Sequence, residues 1–187
     1  MNIEVLQNTV LALLKEAPGL GSIHINKGLL IIDAYYHSLY RKTLTGINYV
    51  KHDLGPVPEP EAHNVLYAME FNKIRVCPEK RGPIHTVNAH YAVFDPNYAL
   101  FDKISLDIIK EIANIIKHMT AARLSKVTHN QVWENTPKGE IIPIESAYTI
   151  QIIDKRVRKL SDSERAQAQN ILEGLYGNTA PIIPAAN

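Results

Sequence analysis

Eight histidines in this 187-residue sequence raise metal binding and acid–base catalysis as options. The spacings do not assemble either. His85 and His90 lie five apart on an expected strand, which puts them on opposite faces. His24 and His37 are thirteen apart, and neither belongs to an HExxH or Glu-x-x-His pattern. His118 and His129, with Glu134 close behind, converge only if the fold brings them together. The single cysteine, Cys77, cannot form an internal disulfide, and no Cys/His set with zinc spacing surrounds it. No G-x-S-x-G elbow is present. Gly19-Leu20-Gly21 lacks the third glycine and the preceding strand of a nucleotide fingerprint. The expectation is no catalytic residue, no metal site, no cofactor and no enzyme.

Asp33 is the one acidic residue in a telling place. It falls on the same helical stripe as Leu29, Tyr36 and Tyr40, where a buried carboxylate without a partner is costly. Lys27, Lys51, Arg41 or a backbone donor are the candidate partners, and a salt bridge fixing helix against loop is the expected form. The alternative is a polar spot within an aromatic partner-binding face, to which Tyr35, Tyr36, Tyr40, Tyr49 and Tyr67 would contribute.

The elements that must position these residues follow from periodicity. Ile3, Leu6, Val10, Leu13 and Leu14 make the stripe of an opening helix that Pro18, Gly19 and Gly21 end. A second helix, capped by Asn26, runs to about Lys42, and Thr45-Gly46 breaks it. Ile47 to Lys51 is extended, and Gly55-Pro56-Val57-Pro58 is a rigid turn because proline fixes φ. A third helix starts at Pro58 to Pro60 and buries Ala62, Val65, Leu66 and Met69. A hairpin follows, with arms at Ile74–Val76 and Ile84–Phe94, a loop over 78–83 and a basic Lys80-Arg81 tip. Ser105 caps a fourth helix, a shorter one spans Ala121–Asn130, and Glu140–Ile144 is extended. Ser161 and Glu164 form a capping box for a final helix ending at Gly177, with a Pro/Ala-rich tail over 178–187. The class is α+β: a mainly helical single domain over 1–177, with a hairpin and short strands, compatible with a winged-helix-like arrangement.

Lysine and arginine number 20 against 19 acidic residues, and a formal charge of +1 supplies no basic footprint for nucleic acid. The third helix carries Glu59, Glu61 and Glu70, which repel phosphate, so nucleic acid is not the expected partner. The sequence has no apolar run long enough to span a bilayer, and its start lacks a basic leader region. A cytoplasmic protein without membrane attachment is expected.

Two spaced groups of residues carry a family resemblance. The first is Asn26-Lys27-x-Leu29-Leu30-x-x-Asp33, Thr45-Gly46-x-x-Tyr49-x-Lys51 and Gly55-Pro56-Val57-Pro58. The second is Leu124-Ser125, Trp133, Thr136, Gly139-Glu140, Ile142-Pro143 and Glu145. In this order, from about Leu11 to Ala147, they resemble the Panacea domain of SocA-like antitoxins, a family that includes phage-associated proteins. Gly28, Leu30 and Lys126 depart from the family's usual residues. The resemblance implies an antitoxin of a toxin–antitoxin system that neutralises a cognate protein toxin by direct binding. It marks Lys27, Asp33, Tyr36, Thr45, Gly46, Tyr49, Gly55, Pro56, Trp133, Gly139 and Glu140 as scaffold or partner-binding positions, with Trp133 anchoring the segment after it against the core. Lys80 and Arg81, at the hairpin tip, are the expected partner contacts; a second copy of the chain is the other partner considered. The alternatives are a winged-helix-like DNA-binding or autoregulatory protein and an adaptor that hands a partner to a protease.

Overall fold

The computed structural model describes residues 1–81 and 85–150. Among them run helices α1 (Ile3–Glu16), α2 (Ser22–Tyr40), α3 (Pro60–Met69), α4 (Lys103–Ile116), α5 (Ala121–Thr128) and α6 (Gln131–Asn135). The strands are β1 (Tyr49–Val50), β2 (Val57–Pro58), β3 (Ile74–Lys80), β4 (Thr86–Ala92) and β5 (Ile141–Ile142). The class is the expected mainly helical α+β. β1 is the middle strand of a small antiparallel sheet, with Tyr49 opposite Pro58 on one side and Ile142 on the other. β3 and β4 form a separate antiparallel hairpin in register from Ile74↔Ala92 to Lys80↔Thr86.

α2 organises the rest. Its residues are buried without interruption from Lys27 to Ala34, so it has no polar face over two turns and lies at the centre of the packing. α1 brings Leu6, Val10, Leu13 and Leu14, α4 brings Ile108, Ile109, Ile112 and Ile116, and α5 brings Leu124 into one core. Gly28 lies where α2 meets α1 and α4. A Cβ there would sit 2.9 Å from Ile116 Cδ1 and 3.0 Å from Leu13 Cδ2. Glycine costs up to about 1 kcal/mol in a helix, and the close approach it permits offsets that.

Several expected boundaries move, each for a local reason. α2 begins a turn earlier than Asn26, with extended Gly21 as its N-cap, and ends where Arg41 turns left-handed (φ 57°) and donates its N–H to the His37 carbonyl. Ile3 and Tyr40, expected on inward stripes, are 50% and 38% exposed at the outer ends of their helices. Asp102, not Ser105, caps α4: its Oδ1 accepts from the Ser105 amide (2.7 Å) and hydroxyl (2.6 Å). A carboxylate is the better acceptor there and is favoured by the helix dipole. Pro78–Lys80 extends β3 rather than forming a loop, because a two-stranded ribbon has open edges on which proline sacrifices no ladder bond. Trp133 lies inside α6, which Asn130 caps through the Trp133 amide at 3.0 Å. No described helix is long and apolar enough to cross a membrane. The expected helix over Ser161–Gly177 and the tail over 178–187 lie outside the described residues.

Candidate functional site

The family-type residues gather in two clusters, one on each side of β1. In the first, Asp33 is fully buried on α2, and the loop after that helix folds back over it. Its Oδ1 accepts from the Thr45 amide at 2.9 Å, and its Oδ2 accepts from the Thr45 hydroxyl at 2.5 Å and the Tyr49 phenol at 2.7 Å. The expected salt bridge is therefore not what forms: amide and hydroxyl donors take the place of Lys27, Lys51 and Arg41. These short donors come from the returning loop itself, so no long cationic side chain has to be desolvated beside the carboxylate. Gly46, at φ 71°, makes the return possible. A Cβ on it would press to 3.3 Å from Met1 Cα, next to the Asn2 amide that donates to the Thr45 carbonyl. Burial pushes the Asp33 carboxyl above its ordinary range, while hydrogen bonds from Thr45 and Tyr49 pull it back. Burial and the neighbouring Asp33 hold the Tyr49 phenol well above its usual value, so it stays a donor. Tyr36, a turn along α2, is buried against the ring of Tyr40 at 4.6 Å between centroids.

The second cluster is built around Lys27. This lysine is 1% exposed, and its Nζ donates to the Pro56 carbonyl at 2.5 Å. Gly55 passes directly over the amine with φ 94°. A Cβ there would lie 2.7 Å from Lys27 Nζ, 2.8 Å from Thr128 Oγ1 and 3.0 Å from His129 Cδ2. Gly55 is thus required twice, by its backbone conformation and by the space below it. Burial lowers the Lys27 pKa from 10.5 to about 7. Burial, and then the nearby Lys27 charge, also lower that of His129.

His129 stacks face to face on Trp133, with centroids 3.8 Å apart and planes 5° from parallel. Lys51 Nζ sits 4.7 Å above the Trp133 ring, and Trp133 Nε1 donates to the His52 carbonyl at 3.2 Å. Trp133 is only half-buried, so it bolts α6 to the strand following Tyr49 rather than filling the core. Gly139 and Glu140 enter this cluster through their backbones. The Gly139 amide donates to the Lys51 carbonyl, and the Lys51 amide donates to the Glu140 carbonyl, while the Glu140 side chain is exposed.

Lys80 and Arg81 belong to neither cluster. Lys80 is exposed at the end of β3; Arg81 donates to the Gly19 carbonyl and lies 3.5 Å from Glu79, which ties its guanidinium to the turn after α1. Among the described residues no group of three or more His, Cys, Asp or Glu is arranged to hold a metal. The remaining buried histidines are held by backbone carbonyls and, for His90, a carboxylate. His24 Nε2 donates to the Met119 carbonyl at 2.8 Å; His90 Nδ1 donates to the Leu20 carbonyl at 2.9 Å, and its Nε2 lies 3.3 Å from Glu70 Oε1. Sequence reasoning missed Thr128 and the placement of His129. The available signal was Gly55, whose positive φ and tight surroundings required neighbours of some kind.

Beside the Lys27 cluster opens a cleft of about 470 Å³. Ser22, Asn26 and Lys27 of α2, His63 and Asn64 of α3, and His52 are among the residues that line it. A smaller cleft of about 250 Å³ shares Ser22, Asn26 and His63 and continues past Tyr67 to Glu70 and His90. At its rim Tyr67 and Phe71, 57% and 75% exposed, meet edge to face at 5.1 Å.

Comparison with known families and structures completes the description. Residues 25–134, more than half of the chain, match the family model described as Antitoxin SocA-like, Panacea domain. Comparisons with curated proteins and with solved structures return no significant match. The matched span holds Lys27 through Trp133 and leaves Gly139 and Glu140 just beyond it.

Proposed function

The chain belongs to the SocA-like antitoxin family through its Panacea domain, and from that premise we propose that it neutralises a cognate protein toxin by binding it directly, without catalysis. The family match carries this reading. The character of the surface supports it. The exposed side of α3 and the turn after it present Glu61, Tyr67 and Phe71, with no lysine or arginine between Pro60 and Asn72. Exposed aromatic side chains next to a groove suit a protein interface, where tyrosine, phenylalanine and tryptophan are enriched. They do not suit a phosphate backbone, which is held chiefly by lysine and arginine. The two residue clusters act as scaffold in this reading: Asp33 and Lys27 lock the loops on either side of β1 and so fix the groove's walls.

The test is co-expression with the protein encoded by the adjacent gene. If that protein arrests growth, this chain restores it, and the two co-purify. Growth arrest that persists while this chain is stably expressed and folded overturns the antitoxin reading. Restoration that requires a host protease, or that follows promoter occupancy alone, would transfer the function to the adaptor or the autoregulatory alternative.

A further inference from the structure

We infer that the outer edge of β3 is a docking strand: an extended segment of the bound protein partner pairs its main chain with Ile74, Val76 and Lys80 and lays one side chain in the smaller cleft beside them. That the occupant is a protein partner rests on the antitoxin reading; that the edge is open does not.

The phase of the hairpin ladder shows which main-chain groups are free. Just beyond its two ends, the Val93 amide donates to the Lys73 carbonyl at 3.0 Å and the Arg81 amide to the His85 carbonyl at 2.7 Å. Both pairs keep the register that runs from Ile74↔Ala92 to Lys80↔Thr86. Hydrogen-bonded pairs therefore fall on the odd-numbered residues of β3, and the main-chain groups of Ile74, Val76, Pro78 and Lys80 point away from β4. Two further features fit this phase. His90 stands opposite Val76, and its outward groups are both taken by the turn before α2: its amide donates to the Leu20 carbonyl at 3.0 Å, and its carbonyl accepts from the Gly19 amide at 2.9 Å. Pro78, which has no N–H to give, stands at an outward position of β3.

The two edges of the ribbon thus differ. The chain itself covers the outer edge of β4. No described strand lies on the outer edge of β3, and no described backbone group outside the hairpin bonds to Ile74, Val76 or Lys80. Only Ile74 of its seven residues is buried, so the edge is within reach of another chain. An edge of this kind is a template for a further strand. Peptide segments that add to one draw affinity from main-chain hydrogen bonds and specificity from pockets for alternate side chains.

Such a pocket is in place. Ile74 and Val76 line the cleft of about 250 Å³, together with Leu66, Tyr67 and Glu70. Side chains of an added strand alternate between faces, so every second one lies on the face that carries Ile74 and Val76. The cleft has room for one large side chain, with apolar walls and the Glu70 carboxylate as an acceptor. It continues to exposed Tyr67, whose ring meets Phe71. Strand edge, cleft and exposed aromatics therefore form one continuous surface for the partner. A second copy of the chain fits less well. Antiparallel self-pairing about Cys77 sets each Pro78 opposite the other copy's Val76 and loses a donor on both sides.

Amide hydrogen exchange of the full chain, read residue by residue by NMR, tests this alone and in complex with the protein encoded by the adjacent gene. In the free chain the outward Val76 and Lys80 amides are expected to exchange faster than the ladder amides of Cys77 and Glu79. In the complex the Val76 and Lys80 amides are expected to slow by about tenfold or more. Val76→Pro deletes one outward donor while keeping the ladder and an apolar side chain. It is expected to bind about tenfold more weakly, with a melting temperature within a few degrees of wild type. A complex in which Val76 and Lys80 exchange as fast as in the free chain overturns the proposal, as does wild-type affinity in a folded Val76→Pro chain. If that variant does not fold, the exchange pattern of the wild type decides. Protection that grows with the concentration of this chain alone assigns the edge to a second copy and overturns the protein partner. If the adjacent protein does not bind at all, the antitoxin reading fails and this inference falls with it; binding without protection of Val76 and Lys80 removes this inference alone.

Discussion

Replacing Lys27 by methionine should change how stability depends on pH, and the sign follows from the burial of its amine. The folded-state pKa is lowered from 10.5 to about 7. Between those values the unfolded chain holds a proton on Lys27 that the folded chain lacks, so stability rises with pH across that window. Below about pH 7 both states are charged and the full cost of burying the ammonium is present; as pH climbs towards 10.5 that cost is removed. One pKa unit corresponds to about 1.4 kcal/mol, so from about pH 7 to about pH 9.5 Lys27 adds up to about 3 kcal/mol of stability. Lys27→Met has no proton to exchange and should lack that rise. Urea unfolding of both chains at the two pH values, read as midpoints with unchanged m-values, measures it. Other titrating groups are common to both chains and cancel in the comparison. His129, its pKa lowered from 6.5, stays largely neutral throughout the window. Parallel pH profiles for the two proteins would refute the assignment of Lys27 as a buried amine without a counter-ion.

Gly55→Ala should cost about 2–4 kcal/mol, combining the left-handed backbone penalty with displacement of Lys27 and Thr128. Gly139→Ala, at φ 86° with nothing within 4 Å of its added Cβ, should cost only the backbone term, about 1 kcal/mol; equal losses in urea unfolding would contradict the packing described over Lys27. Tyr49→Phe removes one of the donors to Asp33 and should lower stability by about 1–2 kcal/mol, whereas a neutral effect would mean that the donors of the 44–45 loop satisfy the carboxylate without it. Trp133→Ala loses the His129 stack, the Lys51 contact and the bond to His52, and should lower stability by about 2–3 kcal/mol. Loss of neutralisation by that variant with unchanged melting would mark Trp133 as an interface residue.

Much of the framework was legible because it rests on local rules. The stripe of Leu6, Val10, Leu13 and Leu14 forms where helical period places it, and Gly46 and Gly55 both take the positive φ that turn chemistry asks of glycine, although α2 already ends at Arg41 and Val57–Pro58 pairs as β2 instead of continuing a turn. Asp33 was legible as a residue in need of a partner, because a carboxylate on an apolar stripe has no other way to be tolerated. A backbone donor was among the candidates and the Thr45 amide is one, but the Thr45 and Tyr49 hydroxyls were not, because the choice between them and a lysine depends on how a loop folds back. Lys27 was legible as a candidate partner for Asp33, but the continuous burial of α2 from Lys27 to Ala34 instead places its amine against the Pro56 carbonyl. The caps at Gly21 and Asp102 were displaced because Asn26 and Ser105 are equally good capping types, and tertiary packing made the choice. The cleft between α2 and α3 joins residues some forty positions apart, and no spacing rule reports it.

Direct neutralisation is tested most plainly by reconstitution from purified components. The adjacent gene's product is isolated, its own activity is measured in vitro, and this chain is titrated into the assay with no protease and no DNA present. The account predicts activity that falls linearly to zero at a fixed ratio of the two proteins, with a stable complex of that ratio in size-exclusion chromatography. Full toxin activity in the presence of excess folded chain, in a system where co-expression still rescues growth, would contradict it.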